Sequence, residues 1–316
     1  CRVRFIHYPQ KYMKTKIPTL TICIPAYNEA GNIAKMIESV LRQKGEFKLV
    51  KILVICDGSS DDTYNIVKGL SARHPVIKVI GGGRRMGKAA RLNQLLHLNR
   101  SDYLALFDAD LIFFAKSEIH QLINRFTPST NVVSGHISPS LNLPFWGRVS
   151  AWSFRLLDIA GQLYNHGSNI HTLQGSVVIL KKDFASTLRF PTGTISDQGY
   201  LYVKSIEHNK NGYKFARTTN IIFSPPSTFH DIRLLAVRTL SEDRQNLSDN
   251  CGINALNHYN IPLRYILYSV IINFLKNPPY TTLAIIMNIY LRLFPLALHA
   301  SHDGAWEITT SSKQLA

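Results

Sequence analysis

The sequence predicts an α/β protein with a mostly parallel sheet and flanking helices, because short apolar segments alternate with amphipathic ones over its first 110 residues. The segments that read as strands are 20–25, 50–56, 76–80 and 103–107. The intervening segments carry apolar residues at helical spacing, as at Ile33, Ile37 and Val40. Asn28, Asp57 and Asp108 directly follow strands, at the sheet edge where open α/β sheets bind ligands.

The remainder of the chain is divided by composition. Residues 172–180 predict a strand entered through Gly175, and residues 195–207 predict a turn that leads into a helix. Two apolar runs, 265–275 and 280–291, have cationic flanks and are too short to span a bilayer. They fit either an interfacial membrane contact or a helical pair that packs on the core or forms a dimer. The predicted organisation is a basic segment over 1–18, an α/β domain over 19–250 and a C-terminal helical region over 251–316.

The overall charge narrows the class of partner. A formal net charge of +16 and a pI of about 9.7 favour nucleic acid, anionic lipid or phosphorylated ligands. A hydrophobic content of 45% is too low for a protein with many membrane spans. The four cysteines form no CxxC pair, so a zinc site is not expected, and they suit a reducing compartment. We therefore expect a cytoplasmic location, peripheral to the cytoplasmic face of a membrane.

The strongest chemical signal is the Asp108-Ala109-Asp110 triplet after an apolar strand. Side chains at i and i+2 of an extended segment point the same way, so both carboxylates are expected to face one cavity. Their mutual repulsion calls for a hard divalent cation such as Mn²⁺ or Mg²⁺, which can also hold a diphosphate. A solvated turn is the alternative interpretation.

Several segments together resemble a known family. They are CIPAYNEAGNI (23–33), CDGSSDDT (56–63), GKAARLN (87–93), DAD (108–110) and SDQ (196–198). In this order they resemble the family 2 inverting glycosyltransferases of the GT-A fold, over about residues 19–245. The resemblance implies transfer of a hexosyl or N-acetylhexosaminyl group from a nucleoside-diphosphate sugar, most often a uridine one, to a lipid-linked or saccharide acceptor.

The same resemblance implies roles for residues on the donor side. The loop after the first strand holds the nucleobase, the aspartate after the second contacts base or ribose, and the GKAxxLN segment faces the diphosphate. The two aspartates of the DAD triplet contact ribose and metal, respectively. The corresponding residues are Pro25, Tyr27, Glu29, Asp57, Lys88, Asn93, Asp108 and Asp110. Cys56 stands where the family often has another aspartate, which leaves the identity of the base open.

Further residues are implied for catalysis and for the acceptor. Asp197 matches the general base that takes the proton of the acceptor hydroxyl, although an aspartate there can also be a helix cap. His230 is a candidate third metal ligand, and Arg238 and Arg244 are candidates for the diphosphate. Gly175, Trp146 and Trp152 lie where the acceptor is expected, although core packing is the commoner use of tryptophan.

Two other functions compete with sugar transfer. A nucleotidyltransferase shares the α/β layout, but its glycine-rich basic loop is not matched by AYNEAGN after the first strand. A non-catalytic protein could use the basic surface and apolar tail to bind anionic membrane or RNA. A processive synthase is disfavoured, because Glu242-Asp243-Arg244-Gln245-Asn246 replaces the QxxRW motif. We expect an anionic membrane surface and no specific nucleic acid as partners, and an oligomer remains open.

Overall fold

The structure is a computed structural model that describes residues 16–81, 83–294 and 310–313. Most of the predicted basic segment, residues 1–15, and parts of the predicted C-terminal region, residues 295–309 and 314–316, lie outside this description. The strands are β1 (Thr19–Ala26), β2 (Lys48–Cys56), β3 (Ile77–Ile80), β4 (Tyr103–Phe107), β5 (Leu111–Phe113), β6 (Val132–Pro139), β7 (Val177–Lys181) and β8 (Tyr213–Phe223). The α-helices are α1 (Ile33–Leu41), α2 (Thr63–Arg73), α3 (Lys88–Leu98), α4 (Glu118–Ile123), α5 (Phe145–Leu163), α6 (Lys182–Thr187), α7 (Asp197–His208), α8 (Phe229–Val237), α9 (Asp243–Cys251), α10 (Leu263–Lys276) and α11 (Pro278–Leu293).

The strands form one sheet in the order β3-β2-β1-β4-β7-β6-β8-β5. The neighbouring pairs among β3, β2, β1 and β4 are parallel, which confirms the parallel sheet predicted for the first half of the chain. Beyond β4 the sheet is mixed, because β7 runs antiparallel to both β4 and β6. The register pairs Ala26 of β1 with Cys56 of β2, so the loops that follow these strands start side by side.

Strand β1 is buried on both faces, as expected for a central strand of a parallel sheet. Ile22 and Ile24 pack into one apolar layer together with Ile37 of α1. Cys23 points to the opposite face and packs in a second layer with Leu95 of α3. Burial raises the pKa of the Cys23 thiol, so this cysteine is an inert, buried free thiol.

Two local predictions are wrong in geometry. Asp108-Ala109-Asp110 is a turn rather than an extended segment, because β4 ends at Phe107 and the chain leaves β4 to pair β5 with β8 elsewhere in the sheet. The strand predicted over 172–180 begins only at Val177. Thr172 lies in a short 3-10 turn, where its N–H donates to the carbonyl of Asn169 at 3.2 Å.

Helices α10 and α11 coincide with the two apolar runs of the sequence and pack against α5. Ser269 donates to the carbonyl of Leu156 at 2.6 Å, and Asn288 donates to the hydroxyl of Ser153 at 2.8 Å. No helix in the described part of the chain combines the length and apolar character needed to cross a bilayer. Apolar side chains on the other side of both helices remain exposed, and we call them the hairpin face: Leu263, Ile266, Leu267, Ile271, Leu275, Ile286, Ile289 and Leu293.

Glu118 is a buried acid that joins α4 to the sheet. The residue is 1% exposed, and its Oε1 accepts the N–H of Asn220 on β8 at 3.0 Å. Burial raises the pKa of this carboxyl from 4.5 to about 7. Since the folded state holds the proton more tightly than the unfolded state, this group favours folding fully below pH 4.5. That contribution is lost as the pH rises through 7.

Glu118→Gln should therefore be more stable than the wild type at pH 8, by about 2 kcal/mol, and the difference should vanish below about pH 4. The measurement is the free energy of unfolding in urea across this pH range. Glu207→Gln is the control, because Glu207 lies in an exposed ion pair with Lys204 instead of in the interior. A difference between Glu118→Gln and wild type that is the same at both pH values would contradict the assignment.

Candidate active site

The loops after β1 and β2 are joined at the carboxyl edge of the sheet. Asn28 accepts the N–H of Ser60 at 2.9 Å through its side-chain oxygen, and the N–H of Glu29 donates to the Thr63 hydroxyl at 2.8 Å. Asn28 has a φ of 51°, in the left-handed region that asparagine tolerates better than most residues. This turn holds Glu29 at the edge of the sheet.

Two residues of the predicted nucleobase loop lie on either side of the end of β1. Pro25 is half-buried within the strand, and Tyr27 follows it. The guanidinium of Arg85 lies over the Tyr27 ring at 4.0 Å from its centroid, a cation–π arrangement. The guanidinium thus already covers one face of the Tyr27 ring, and a contact between this ring and a base remains a prediction.

Asp57 is buried and fixes the basic loop before α3. Its carboxylate accepts the N–H groups of Met86 and Gly87 at 2.8 and 2.9 Å. It also pairs with the Nε of Arg91 at 2.7 Å, and the two side chains are 7% and 5% exposed. Three donors therefore already bind the residue predicted to contact base or ribose, and that contact remains a prediction.

Lys88 bridges the first aspartate of the DAD turn and the predicted general base. Its ammonium lies 2.9 Å from Asp108 Oδ1 and 2.8 Å from Asp197 Oδ2. Burial alone would raise the pKa of Asp197, but the charges of Lys88 and Arg238 outweigh it and lower the pKa. Asp197 is thus held as a carboxylate at neutral pH.

The second aspartate of the turn belongs to a separate acidic group. Burial, followed by the charge of Asp108, raises the pKa of Asp110. Burial and the charge of Asp110 likewise raise the pKa of Glu29 to about 7. Lys313 forms an ion pair with Glu29 and opposes both upward pKa shifts. The three side chains therefore interact electrostatically at the end of β1 and β4.

The acidic turn is suited to a divalent cation. Asp108 and Asp110 repel each other, and ammonium groups act on both of them. Mg²⁺ commonly binds one or two carboxylates and completes its shell with phosphate oxygens and water, so two aspartates meet its requirements. No three His, Cys, Asp or Glu side chains within the described ranges form a metal-binding group. His230, predicted as a third ligand, is an exposed residue at the start of α8.

Asp197 opens α7, and α9 holds the loop that precedes it. Asn246 accepts the N–H of Ile195 at 2.9 Å and donates to the carbonyl of Gly193 at 3.1 Å. Ser196, rather than Asp197, occupies the helix-capping position, so the cap interpretation of Asp197 is not needed. A Cβ on Gly175 would lie 3.3 Å from Asp197 Oδ1, which shows that this glycine lies against the carboxylate.

The two predicted arginines have different partners in the structure. Arg238 begins a π-helical segment, Arg238–Glu242, and its charge lowers the pKa of Asp197. Arg244 stacks on the Tyr259 ring at 5.0 Å. Tyr259 in turn donates its hydroxyl to Asp243 of α9. Arg244 therefore packs on a residue that is hydrogen-bonded to the start of its own helix.

Three other predicted residues have packing partners in the structure. Asn93 makes two hydrogen bonds of 2.9 Å to the backbone of Phe190. Trp146 is 38% exposed and packs on Phe229 at the start of α8. Trp152 lies beside Arg155, with the guanidinium 5.2 Å from the ring centroid. Their proposed ligand contacts remain predictions.

Sequence reasoning missed Lys313, Asp243, Tyr259 and Asn246. Asp243 and Asn246 lie in the segment that was examined for the QxxRW motif, so their position near Asp197 had an indirect signal. Lys313 had none, because a lysine near the end of a chain normally indicates only a solvated terminus. Its place at the site depends on long-range chain folding.

Comparison with known proteins places the fold in a family. Residues 21–188 match the family described as "Glycosyl transferase family 2". A beta-monoglucosyldiacylglycerol synthase of Trichormus variabilis is 33% identical over 106 residues, which cover 33% of this chain and 22% of that protein. The matched segments span between about a fifth and a third of the curated relatives' own lengths.

Solved structures share the fold at low sequence identity. A mannosyltransferase from Pyrobaculum calidifontis in complex with GDP-Man and Mn²⁺ matches with a TM-score of 0.58 and 17% identity, over 89% of this chain and 77% of that chain. Glucosyl-3-phosphoglycerate synthase from Mycobacterium tuberculosis in complex with Mn²⁺, UDP-glucose and phosphoglyceric acid matches with a TM-score of 0.52 and 16% identity. That match covers 75% of this chain and 80% of the synthase. The GT-A-like architecture predicted from the sequence is thus confirmed.

The buried Asp57–Arg91 pair yields a test of site architecture that needs no substrate. Asp57→Asn should lower the free energy of unfolding by about 3 kcal/mol, because it leaves the Arg91 charge buried without its counterion. The measurement is the urea midpoint, with Asp62→Asn as a control at an exposed aspartate of the adjacent helix start. A loss no larger than that of the control would contradict a structural role for Asp57.

Proposed function

Since this chain belongs to glycosyl transferase family 2, we propose that it transfers a hexosyl or N-acetylhexosaminyl group from a nucleoside-diphosphate sugar, with uridine as the expected base. The acceptor is a hydroxyl group of a lipid-linked or saccharide molecule. Inversion at the anomeric carbon is part of this proposal.

Transfer is best supported by the position of Lys88. One ammonium lies within 3 Å of both Asp108, on the donor side, and Asp197, on the acceptor side. A displacement reaction needs positive charge at the departing diphosphate and a base at the attacking hydroxyl, close to each other. Lys88 and Asp197 provide this pair of groups.

The donor is bound along the strand ends. Tyr27 stacks the base, the Asp57-anchored loop presents cationic side chains to the phosphates, and Asp108 faces the ribose. Asp110 and Asp108 would hold Mn²⁺ or Mg²⁺, and phosphate oxygens and water would complete the ligand shell in place of the predicted His230. When bound, that cation neutralises charge on the diphosphate.

The chain's own residues carry the transfer step. Asp197 accepts the proton of the acceptor hydroxyl while the oxygen of that hydroxyl bonds to the anomeric carbon. The bond between the anomeric carbon and the nucleoside diphosphate breaks on the opposite face. The negative diphosphate attracts Lys88, which weakens the Lys88–Asp197 ion pair. The carboxylate is then a stronger base at the moment when it is required.

A lipid acceptor is supported by the hairpin face. It exposes apolar side chains on two adjacent helices, among them Leu267 at 53% and Ile271 at 55%. Arg264, Lys276 and Arg292 lie in the end turns of the two helices, whose described residues contain no acid. Helices of this kind lie in the interface of an anionic membrane, which fits a cytoplasmic protein that is peripheral to that membrane.

A cavity beside the hairpin could receive part of such an acceptor. It has a volume of about 320 Å³ and lies between α11 and the segment around the π-helical turn. Its walls are largely apolar, and Arg233 and Arg292 are also among the lining residues. Cations beside an apolar wall suit a phosphate attached to a hydrocarbon chain. The same segment carries Arg238, whose charge acts on Asp197.

The transfer function is tested by separating binding from chemistry. UDP-sugars and GDP-mannose are screened by thermal shift with and without Mn²⁺, because a ligand of the native state raises the unfolding temperature. Asp110→Ala should lose the Mn²⁺-dependent part of the shift. Asp197→Asn should keep that shift, while transfer to the acceptor falls by a factor of about 10² to 10⁴.

Asp183→Asn serves as the control for both variants, because Asp183 is an exposed aspartate in the first turn of α6. Full transfer by Asp197→Asn would reject its role as base. An unchanged Mn²⁺ response in Asp110→Ala would reject its role as a metal ligand.

Membrane contact is tested with vesicles. The chain should bind phosphatidylglycerol vesicles at low salt, and the binding should weaken as salt is raised, because the cationic flanks are screened. The double variant Leu267→Glu/Ile271→Glu should bind at least about tenfold less tightly, since charge is placed in the hairpin face. Leu141→Glu is the control at another exposed leucine.

Vesicle binding that the double variant retains in full would reject the membrane interpretation. If the wild type forms a dimer that the same variant dissociates, as seen by sedimentation, the hairpin face is a contact between copies of the chain.

A further inference from the structure

A short C-terminal segment, residues 310–313, lies across the donor edge of the sheet. The Ser311 N–H and hydroxyl both donate to Asp231 of α8, at 2.8 and 2.5 Å. The N–H of Ser227 donates to the same hydroxyl at 2.9 Å. The segment is thus fixed by hydrogen bonds to groups that lie far away in sequence.

The segment also approaches the β1 loop closely. A Cβ added to Gly31 would lie 2.8 Å from the carbonyl oxygen of Lys313, so the backbones fit together only because residue 31 is glycine. This approach places the Lys313 ammonium against Glu29, whose side chain is 6% exposed. The contact buries a carboxylate that has lost most of its hydration, and a cation is the group that compensates for that loss.

The charge of Lys313 reaches beyond Glu29. The turn that carries Asp110, the aspartate proposed as a metal ligand, follows β4, which is the neighbour of β1 in the sheet, and the charge of Lys313 acts on this aspartate. A divalent cation at Asp110 would supply the same compensation with twice the charge, and it would repel an ammonium at the same acidic group. The lysine and the metal therefore stabilise the same carboxylates and exclude each other electrostatically.

We propose that Lys313 is a residue of the donor site, where its ammonium neutralises Glu29 and Asp110 until a divalent cation replaces it. In the metal-free protein the chain in this way supplies its own counterion for Glu29 and Asp110. Metal entry must displace the ammonium, so segment 310–313 lowers the affinity for free metal. The inference rests on the proposed function, because it takes Asp110 as a metal ligand.

The test measures binding of Mn²⁺ alone, without nucleotide or turnover, from the electron paramagnetic resonance signal of the free ion. Lys313→Gln should bind Mn²⁺ about tenfold more tightly than the wild type, because the competing charge is removed. Lys313→Arg should bind as the wild type does, since it restores a cation at this position. Lys204→Gln is the control at a lysine in an exposed ion pair and should leave the affinity unchanged.

Equal or weaker Mn²⁺ binding by Lys313→Gln would overturn the proposal, as would equal tightening in Lys313→Arg, which would show that charge is not the cause. Asp110→Ala separates this failure from failure of the proposed function. If Asp110→Ala abolishes Mn²⁺ binding while the Lys313 variants bind as the wild type does, the metal site stands and the role of Lys313 falls. If Asp110→Ala binds Mn²⁺ normally, the metal site itself is wrong.

Discussion

Several carboxylates lie close together at the carboxyl edge of this sheet, and the fold depends on the basic side chains that form ion pairs with them. Arg91 compensates Asp57, Lys88 compensates both Asp108 and Asp197, and Lys313 compensates Glu29. Without Lys88 and Lys313, burial would favour the protonated forms of Asp197 and Glu29, and a protonated carboxyl can neither bind a cation nor accept a proton. Charge balance at the edge is therefore a condition for the chemistry as well as for the fold.

The cations differ in how firmly they are held. The Asp57–Arg91 pair is almost completely buried and is reinforced by backbone N–H groups, which makes it a fixed part of the scaffold. Lys88 is about a third exposed and divides its ammonium between two acids. A long side chain with two partners can move to a third negative group at modest cost. The site thus combines a rigid pair with an exchangeable one.

The sequence predicted the parallel half of the sheet because that half is built from local patterns. Apolar runs with strand length, helical spacing between them and polar residues at the strand ends were enough to place Asn28, Asp57 and Asp108 at the carboxyl edge, whereas Asp197 came only from the family resemblance. The DAD turn was misjudged, because the partner of the following strand is β8, more than a hundred residues later. A local pattern carries no information on such a partner.

Other features could not be predicted, since they depend on packing between distant segments. The mixed half of the sheet, the anchoring of the Asp197 loop by Asn246 and the position of Lys313 each join residues separated by long stretches of chain. Family resemblance supplied roles for single residues but gave no account of what holds those residues in place. That account comes from hydrogen bonds such as those of Asp57 and Asn246.

The paired hydrogen bonds between Asn93 and Phe190 have a mechanical consequence. Asn93 belongs to the helix that begins at Lys88, and Phe190 belongs to the stretch that leads into Asp197. The Asn93 side chain bonds both the N–H and the carbonyl of Phe190, and so it joins the two segments. A displacement of this helix would therefore be transmitted to the stretch before Asp197.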